Sequence, residues 1–299
     1  MPPPPRPLTI HILRHGTRQD FLTPNWTSPT NLPKDPPIAP IGHHQAQEVS
    51  AHLLGQSPHS RSPPPITHIF SSPFTRCIQT VAPYARARDL RVKIEDGLGE
   101  WFNEANSILP AAADTLPSNH TEAKPCPRAP TVAELEALFP GLVDLGYEMR
   151  MRGTRWESKA EVHERLRVVL GRIIGFVEGE EDQKGGGEGG ETHILLVTHA
   201  AAQIALVRAL VGDERRKVTC GVATLSRFRR RIQQTTAAGV GGGKTSTSTS
   251  TSTNTNTNAN ANANANEDSG IDPSEWVMEA DGDARHLSGG LQYNWAFAE

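Results

Sequence analysis

Five side chains in four short stretches carry the chemistry this sequence can do. They are Arg14 and His15 in Arg14-His15-Gly16, Arg76 in Ser72-Pro73-Phe74-Thr75-Arg76, Glu100 in Gly99-Glu100-Trp101, and His199 in Thr198-His199-Ala200. An ionised phosphate monoester carries nearly two negative charges, and guanidinium groups meet its oxygens with forked pairs of donors. An imidazole with the ordinary pKa of about 6.5 is largely neutral at cytoplasmic pH and can attack phosphorus. Attack by His15 gives a phosphohistidine that water then hydrolyses, which divides one displacement into two easier ones. His199 and the two arginines stabilise charge on the equatorial oxygens. The departing alcohol needs a proton. Glu100, kept protonated by partial desolvation, supplies it and later takes one from the attacking water. This inventory asks for no metal and no other cofactor. His43 and His44 lack a carboxylate or Cys partner at ligand spacing and read as helix-surface residues.

The elements that must position these groups are legible around them. Thr9–Leu13 reads as a strand that ends in Arg14-His15-Gly16. Ile66–Phe70 reads as a second strand, with a Ser N-cap and Pro73 opening a helix that runs to about Arg88 and carries Arg76 in its first turn. His193–Thr198 is the most apolar strand, and the Ala-rich stretch Ala200–Val211 a near-ideal helix, with His199 between them. Three strand-to-helix corners thus meet at one edge of a sheet, where open α/β folds place ligands. Further elements are a helix from Ile41 to about Leu54, a short strand Arg91–Ile94, and a capped helix from Thr131 to Phe139. A long helix over Ser158–Val177, a strand over Cys220–Arg229 and an edge strand near the end, where Glu275–Met278 and Leu291–Phe297 recover aromatic and apolar character, complete the set. Strands alternating with helices imply a three-layer α/β/α sandwich with a mainly parallel central sheet.

Composition sets the outer bounds. A chain of 299 residues suffices for one large α/β domain or two small ones. Its hydrophobic content of 36% is low, and the deficit sits in polar and Pro-rich stretches. Residues 1–7 read as a flexible Pro-rich leader, 8–232 as the main domain, 233–270 as a disordered low-complexity insert, and 271–299 as a segment returning to the same domain. Phe21–Pro40, Gln56–Pro65, Asp96–Pro130 and Glu178–Glu191 read as loops or connections. A net charge of -3 gives no global pull toward nucleic acid or anionic membrane. The run Arg227, Arg229, Arg230, Arg231 reads as a solvated strand end. Three cysteines without metal-type spacing, no apolar leader, and no stretch near the ~18 apolar residues of a membrane span point to a soluble intracellular protein of cytoplasm or nucleus. Direct nucleic-acid or membrane contact is not expected.

Taken together, Arg14-His15-Gly16, Ser72-Pro73-x-x-Arg76, Glu100-Trp101 and Thr198-His199-Ala200 resemble the histidine phosphatase superfamily, also called phosphoglycerate mutase-like. The resemblance spans about residues 8–232 and 271–299. It implies His15 as the phosphorylated nucleophile, Arg14, Arg76 and His199 as the phosphate pocket, and Glu100 as the proton donor. The segments around Ser71, Glu100 and His199 resemble the Sts-type phosphatases and the histidine-phosphatase-domain subunit of fungal transcription factor TFIIIC. Gly282–Gly290 resembles the end of that subunit's domain. Thr17, Arg18, Gln19 and Asp20 stand where mutases of the family carry Ser and Asn, which argues against mutase activity. The Sts-like pattern implies Arg18 as a third phosphate cation. Two functions are therefore expected: a metal-independent histidine acid-type phosphatase acting on phosphomonoesters, or an interaction subunit of a TFIIIC-type complex that retains the pocket.

Overall fold

β1 (Leu8–Arg14) is buried along its whole length and divides its side chains between two cores. Leu8, Ile10 and Ile12 enter one apolar cluster and Leu13 the other. β4 (Thr192–Thr198) repeats the pattern, Ile194 and Leu196 on the first side and Leu195 and Val197 on the second. A strand buried on both faces reads as a continuous apolar run, and that is why these two stretches stand out in the sequence. The computed structural model describes residues 6–23, 25–57, 64–103, 126–153, 155–183, 191–231 and 270–298. Most of the Pro-rich leader, part of the 56–65 loop, positions 104–125 of the expected long insertion, the Gly-rich stretch 184–190 and the low-complexity insert lie outside the described residues.

Six strands form one sheet in the order β3-β2-β4-β1-β5-β6, completed by β2 (His68–Ser71), β3 (Val92–Ile94), β5 (Leu225–Arg230) and β6 (Trp276–Asp283). β3, β2, β4 and β1 are parallel; β5 and β6 add an antiparallel edge. The short helix α1 (Gln19–Leu22) follows the end of β1. α2 (Pro40–Leu53), α3 (Thr75–Ala87) and α4 (Val132–Leu138) contribute to the core that holds Leu13. α5 (Lys159–Gln183) and α6 (Ala200–Val211) cover the opposite face. The architecture is the three-layer α/β sandwich with a mostly parallel sheet that the alternation of elements predicts.

Some boundaries differ for identifiable reasons. The expected Ser cap of α3 is not formed: Phe74 is the N-cap residue, without a side-chain cap bond, and Pro73 precedes it. β2 begins at His68, and the N–H of Ile66 before it donates to the Tyr84 hydroxyl (3.2 Å). The expected strand over Cys220–Arg229 starts only at Leu225, after Ala223 takes a left-handed backbone (φ 55°). α5 continues past Val177 to Gln183, since Glu and Asp on its solvated side are compatible with a helix and the Gly run comes later. Its start is a capping box, with Ser158 N donating to Glu161 and Glu161 N to Ser158. The Thr131–Glu134 box opens α4 as the spacing predicts. Leu291–Phe297 forms no strand. The basic run at the end of β5 is paired in part: Arg227 and Arg229 both meet Glu279, and Arg230 meets Glu178. No helix among the described residues is long and apolar enough to cross a membrane.

Candidate active site

His15 stands where β1 runs out between its neighbours. Its N–H donates to Thr198 O (3.0 Å) and its carbonyl accepts from Ala223 N (3.1 Å). The loop beyond is pinned to the helices, Gly16 N on Thr80 Oγ1 (2.9 Å) and Thr17 N on Gln45 Oε1 (2.8 Å). Gly16 is closely packed, since a Cβ there would lie 3.0 Å from Gly42 O and press on the start of α2. The ring is buried, and its Nδ1 is 2.8 Å from Gly16 O. A carbonyl only accepts, so Nδ1 carries the hydrogen and Nε2 holds the lone pair. Burial, then the charges of Arg76, Arg14 and Arg18, push the His15 pKa well below the ordinary imidazole value. A lowered pKa keeps the neutral, nucleophilic form present at mildly acid pH. Titration of the protein followed by imidazole NMR is therefore expected to show His15 taking up its proton only well below the range of an ordinary histidine. A His15 midpoint at or above 6.5 would contradict this electrostatic reading.

His199, the N-cap residue of α6, makes no cap bond with its side chain. Its ring turns instead into the site, edge-on to His15 with centroids 5.3 Å apart. Arg76 Nη2 lies 3.2 Å from Nδ1, and because a guanidinium only donates, Nε2–H is left to donate to Ser72 Oγ (2.7 Å). Burial followed by the charge of Arg76 lowers the His199 pKa as well. Arg76, fully buried in the first turn of α3, reaches Glu100 Oε2 (3.2 Å) and Lys34 O (3.2 Å) and lies over the Phe74 ring. Arg14 donates from Nη1 to Cys220 O and Tyr293 O, both at 2.7 Å. Arg18 is held bidentately by Asp20 (2.9 and 2.6 Å), with Nη1 3.9 Å from Glu100 Oε2. All six residues expected from the sequence thus meet in one pocket.

Glu100 is the partly exposed member. Its Oε2 sits against Arg76, Arg18 and His199 Nδ1 (3.4 Å), and its Oε1 accepts from Trp101 N (3.1 Å). The loop that carries it is braced from below. Arg165 of α5 grips Glu157 with two bonds (2.7 and 2.8 Å) and donates Nη1 to Gly97 O and Gly99 O. Trp101 Nε1 donates to Glu157 O (2.8 Å).

Polar atoms of His15, Glu100 and His199 lie within 4.8 Å of one another, a spacing that could hold a metal ion. Three guanidiniums surround that triad and repel a cation while attracting an anion. Nε of Arg14 and of Arg76 is buried without a hydrogen-bond partner among the described residues. Leaving such donors unpaired costs about 1–3 kcal/mol each, which an anion's oxygens would recover. His43 and His44 lie elsewhere on α2, and His44 pairs with Glu48 (3.5 Å).

Several supporting residues escape a reading of sequence. Asp35 accepts from Thr75 N (2.9 Å) and Thr75 Oγ1 (2.6 Å) and lies 3.6 Å from Arg76 Nη1, so it orients the start of α3. Burial, opposed by Arg76, raises its pKa. It sits in a Pro-rich loop without periodicity, and nothing local marks it. Arg165 did leave a signal, as a charged residue on the apolar face formed by Val162, Leu166 and Val169.

At the ends of the parallel strands, two buried imidazoles with lowered pKa values and three guanidiniums thus face one another. Residues 10–137 match the histidine phosphatase superfamily (branch 1). The chain is similar to the transcription factor tau 55 kDa subunit of Saccharomyces cerevisiae, 30% identical over 209 residues, covering 68% of this chain and 41% of that protein. It is also similar to the ecdysteroid-phosphate phosphatase of Drosophila melanogaster, 30% identical over 239 residues, covering 68% and 27%. The matched region is thus less than half the length of either relative. Among solved structures, the ecdysone phosphate phosphatase of Bombix mori in complex with tungstate has a TM-score of 0.52 at 18% identity, covering 83% of this chain and 98% of that one, a likeness of fold.

Proposed function

We propose that this protein is a phosphatase that hydrolyses phosphomonoesters through a phosphohistidine on His15, without a metal ion. The observation that carries this reading is the His15 ring: neutral, fixed by Gly16 O so that Nε2 is bare, and surrounded by cations. A bound phosphate takes Arg14, Arg76 and Arg18 as its donors, and His199 joins them once Arg76 turns to the anion and the ring's hydrogen passes to the freed Nδ1. It displaces Glu100 Oε2 from the guanidiniums it now faces and leaves that carboxyl beside the ester oxygen. His15 Nε2 attacks, the P–N bond forms, and the P–O bond to the alcohol breaks. Its electron pair stays on the alcohol oxygen, which takes a proton from Glu100. Water then attacks the phosphohistidine, giving its proton to Glu100, and the P–N pair returns to His15. The guanidiniums stabilise charge on the equatorial oxygens in both steps, the task a metal ion performs in other phosphoryl-transfer sites.

The test uses two leaving groups with chelator present. Wild type is expected to hydrolyse both p-nitrophenyl phosphate and an alkyl phosphate. Glu100→Gln is expected to lose about 10²- to 10³-fold in kcat on the alkyl ester, whose alkoxide must be protonated, and far less on p-nitrophenyl phosphate. Equal losses on both would remove Glu100 from the role of acid, and chelator-sensitive wild-type turnover would remove the metal-free mechanism.

A second reading rests on the similarity to the tau 55 kDa subunit: an intracellular interaction subunit of a TFIIIC-type complex that keeps the pocket. Native mass in an extract separates the two, since the free enzyme travels alone and the subunit in a large assembly. In either reading, residues 8–232 and 271–299 make one catalytic domain, with 1–7 and 233–270 outside it.

A further inference from the structure

Arg14 is anchored by the far end of the chain. Its Nη1 donates to two carbonyls, Cys220 O and Tyr293 O, both at 2.7 Å, although Tyr293 is 279 positions away. Two acceptors on one nitrogen fix the plane of the guanidinium and leave its buried Nε without a partner among the described residues. Tyr293 itself has φ 48°, a left-handed conformation that is uncommon for an aromatic residue and persists only where its surroundings impose it. The surroundings do so. Val222 N donates to Gln292 O (3.0 Å), Cys220 N to Asn294 Oδ1 (2.7 Å) and Trp295 N to Cys220 O (3.2 Å), so residues 292–295 are laced to the loop that supplies the other carbonyl. The approach is close enough that a Cβ on Gly221 would lie 2.5 Å from Leu291 Cδ1 and 2.8 Å from Gln292 O. Beyond Tyr293, Phe297 packs at 5.1 Å and Trp295 at 6.4 Å on the ring of Trp101, the residue after Glu100.

We infer that the segment Gln292–Trp295 is a positioning device for Arg14: the strained Tyr293 carbonyl, held in place by Asn294, aims the guanidinium, and the anion pocket is complete only when this end of the chain is docked. The inference rests on Arg14 being a ligand for the phosphate. Tyr293 and Asn294 act through Arg14 and are positioning residues.

The test compares Tyr293→Gly with Tyr293→Val in the full chain. Both lose the ring and its contact with Phe21 (4.9 Å), so that loss cancels between them. Glycine adopts φ 48° freely, whereas a β-branched residue resists it and turns the carbonyl away. The readout is orthovanadate affinity by calorimetry, with KM and kcat beside it, on protein whose fold is checked by circular dichroism. The Val variant is expected to bind orthovanadate about tenfold more weakly than the Gly variant, with the loss mainly in KM. A role in stability alone would lower Tm and leave the affinity of the folded molecules equal, and that result overturns the inference. If the Val variant does not fold, Asn294→Ala against Asn294→Asp decides. The aspartate keeps an acceptor for Cys220 N and should restore the affinity that alanine loses; equal affinities overturn the proposal. Wild type that binds orthovanadate but hydrolyses no phosphate ester would refute the phosphatase reading and leave this comparison intact. Folded wild type with no orthovanadate affinity would overturn both.

Discussion

His15→Ala is expected to lower phosphate-ester turnover by at least about 10⁴-fold, because it removes the nucleophile and no other group takes its place. His199 is the nearest imidazole, but its two nitrogens are engaged by Arg76 and Ser72. The same substitution leaves Arg14, Arg18, Arg76 and His199 in place, so inorganic phosphate should still bind within a few-fold of wild type. Steady-state kinetics beside calorimetric titration with phosphate measures both quantities. A variant that keeps more than about 1% of wild-type kcat would require a mechanism in which water attacks the ester directly. The loss of kcat without loss of anion affinity separates removal of a nucleophile from collapse of the pocket.

Arg76→Lys is expected to cost about 10³-fold in kcat/KM and, separately, about 3 kcal/mol of stability. The side chain is fully buried, and its planar fork meets four groups at once: Lys34 O, Asp35, Glu100 and His199. An ammonium keeps the charge but offers neither the reach nor the geometry for that set. It also leaves Asp35 buried beside a poorer partner, with burial already pushing its pKa up. Chemical unfolding should therefore show a lower midpoint, and folded protein should show weaker phosphate binding. Near-wild-type kcat/KM in Arg76→Lys would mean that charge alone suffices and that the bidentate geometry at this corner of the sheet is incidental.

The sequence disclosed the parts of this protein whose signal is local. The apolar runs of β1 and β4, the Ala-rich α6 and the Thr131–Glu134 capping box each carry their identity within a few residues. Arg14, His15, Arg76 and His199 were legible for the same reason: each stands at a strand end or helix start that its neighbours announce, whereas Glu100 lies in a loop. What was not legible depends on contacts between distant positions. Ser72 looks like a helix cap in sequence, yet its hydroxyl serves His199, 127 positions away. Asp35 gains its role only when its loop folds over Thr75. Tyr293 acts through a backbone carbonyl, a group every residue has and no sequence pattern marks. The start of β5 was placed too early because alternation in Cys220–Thr224 suggests a strand, while the chain there bends to lace with the C-terminal segment.

The central claim is that His15 carries the phosphoryl group between the two half-reactions, and the direct measurement is to trap it. Protein mixed rapidly with p-nitrophenyl phosphate is quenched in alkali, where a phosphohistidine survives and phosphoserine-type esters are distinguished by their stability to acid. The peptide carrying Leu13-Arg14-His15-Gly16 is then examined by mass spectrometry. Phosphate on His15, acid-labile and absent from the His15→Ala protein, is the expected result. Rapid turnover with no phosphate on that peptide at the shortest quench times, together with a His15→Ala variant that still hydrolyses the ester, would contradict it.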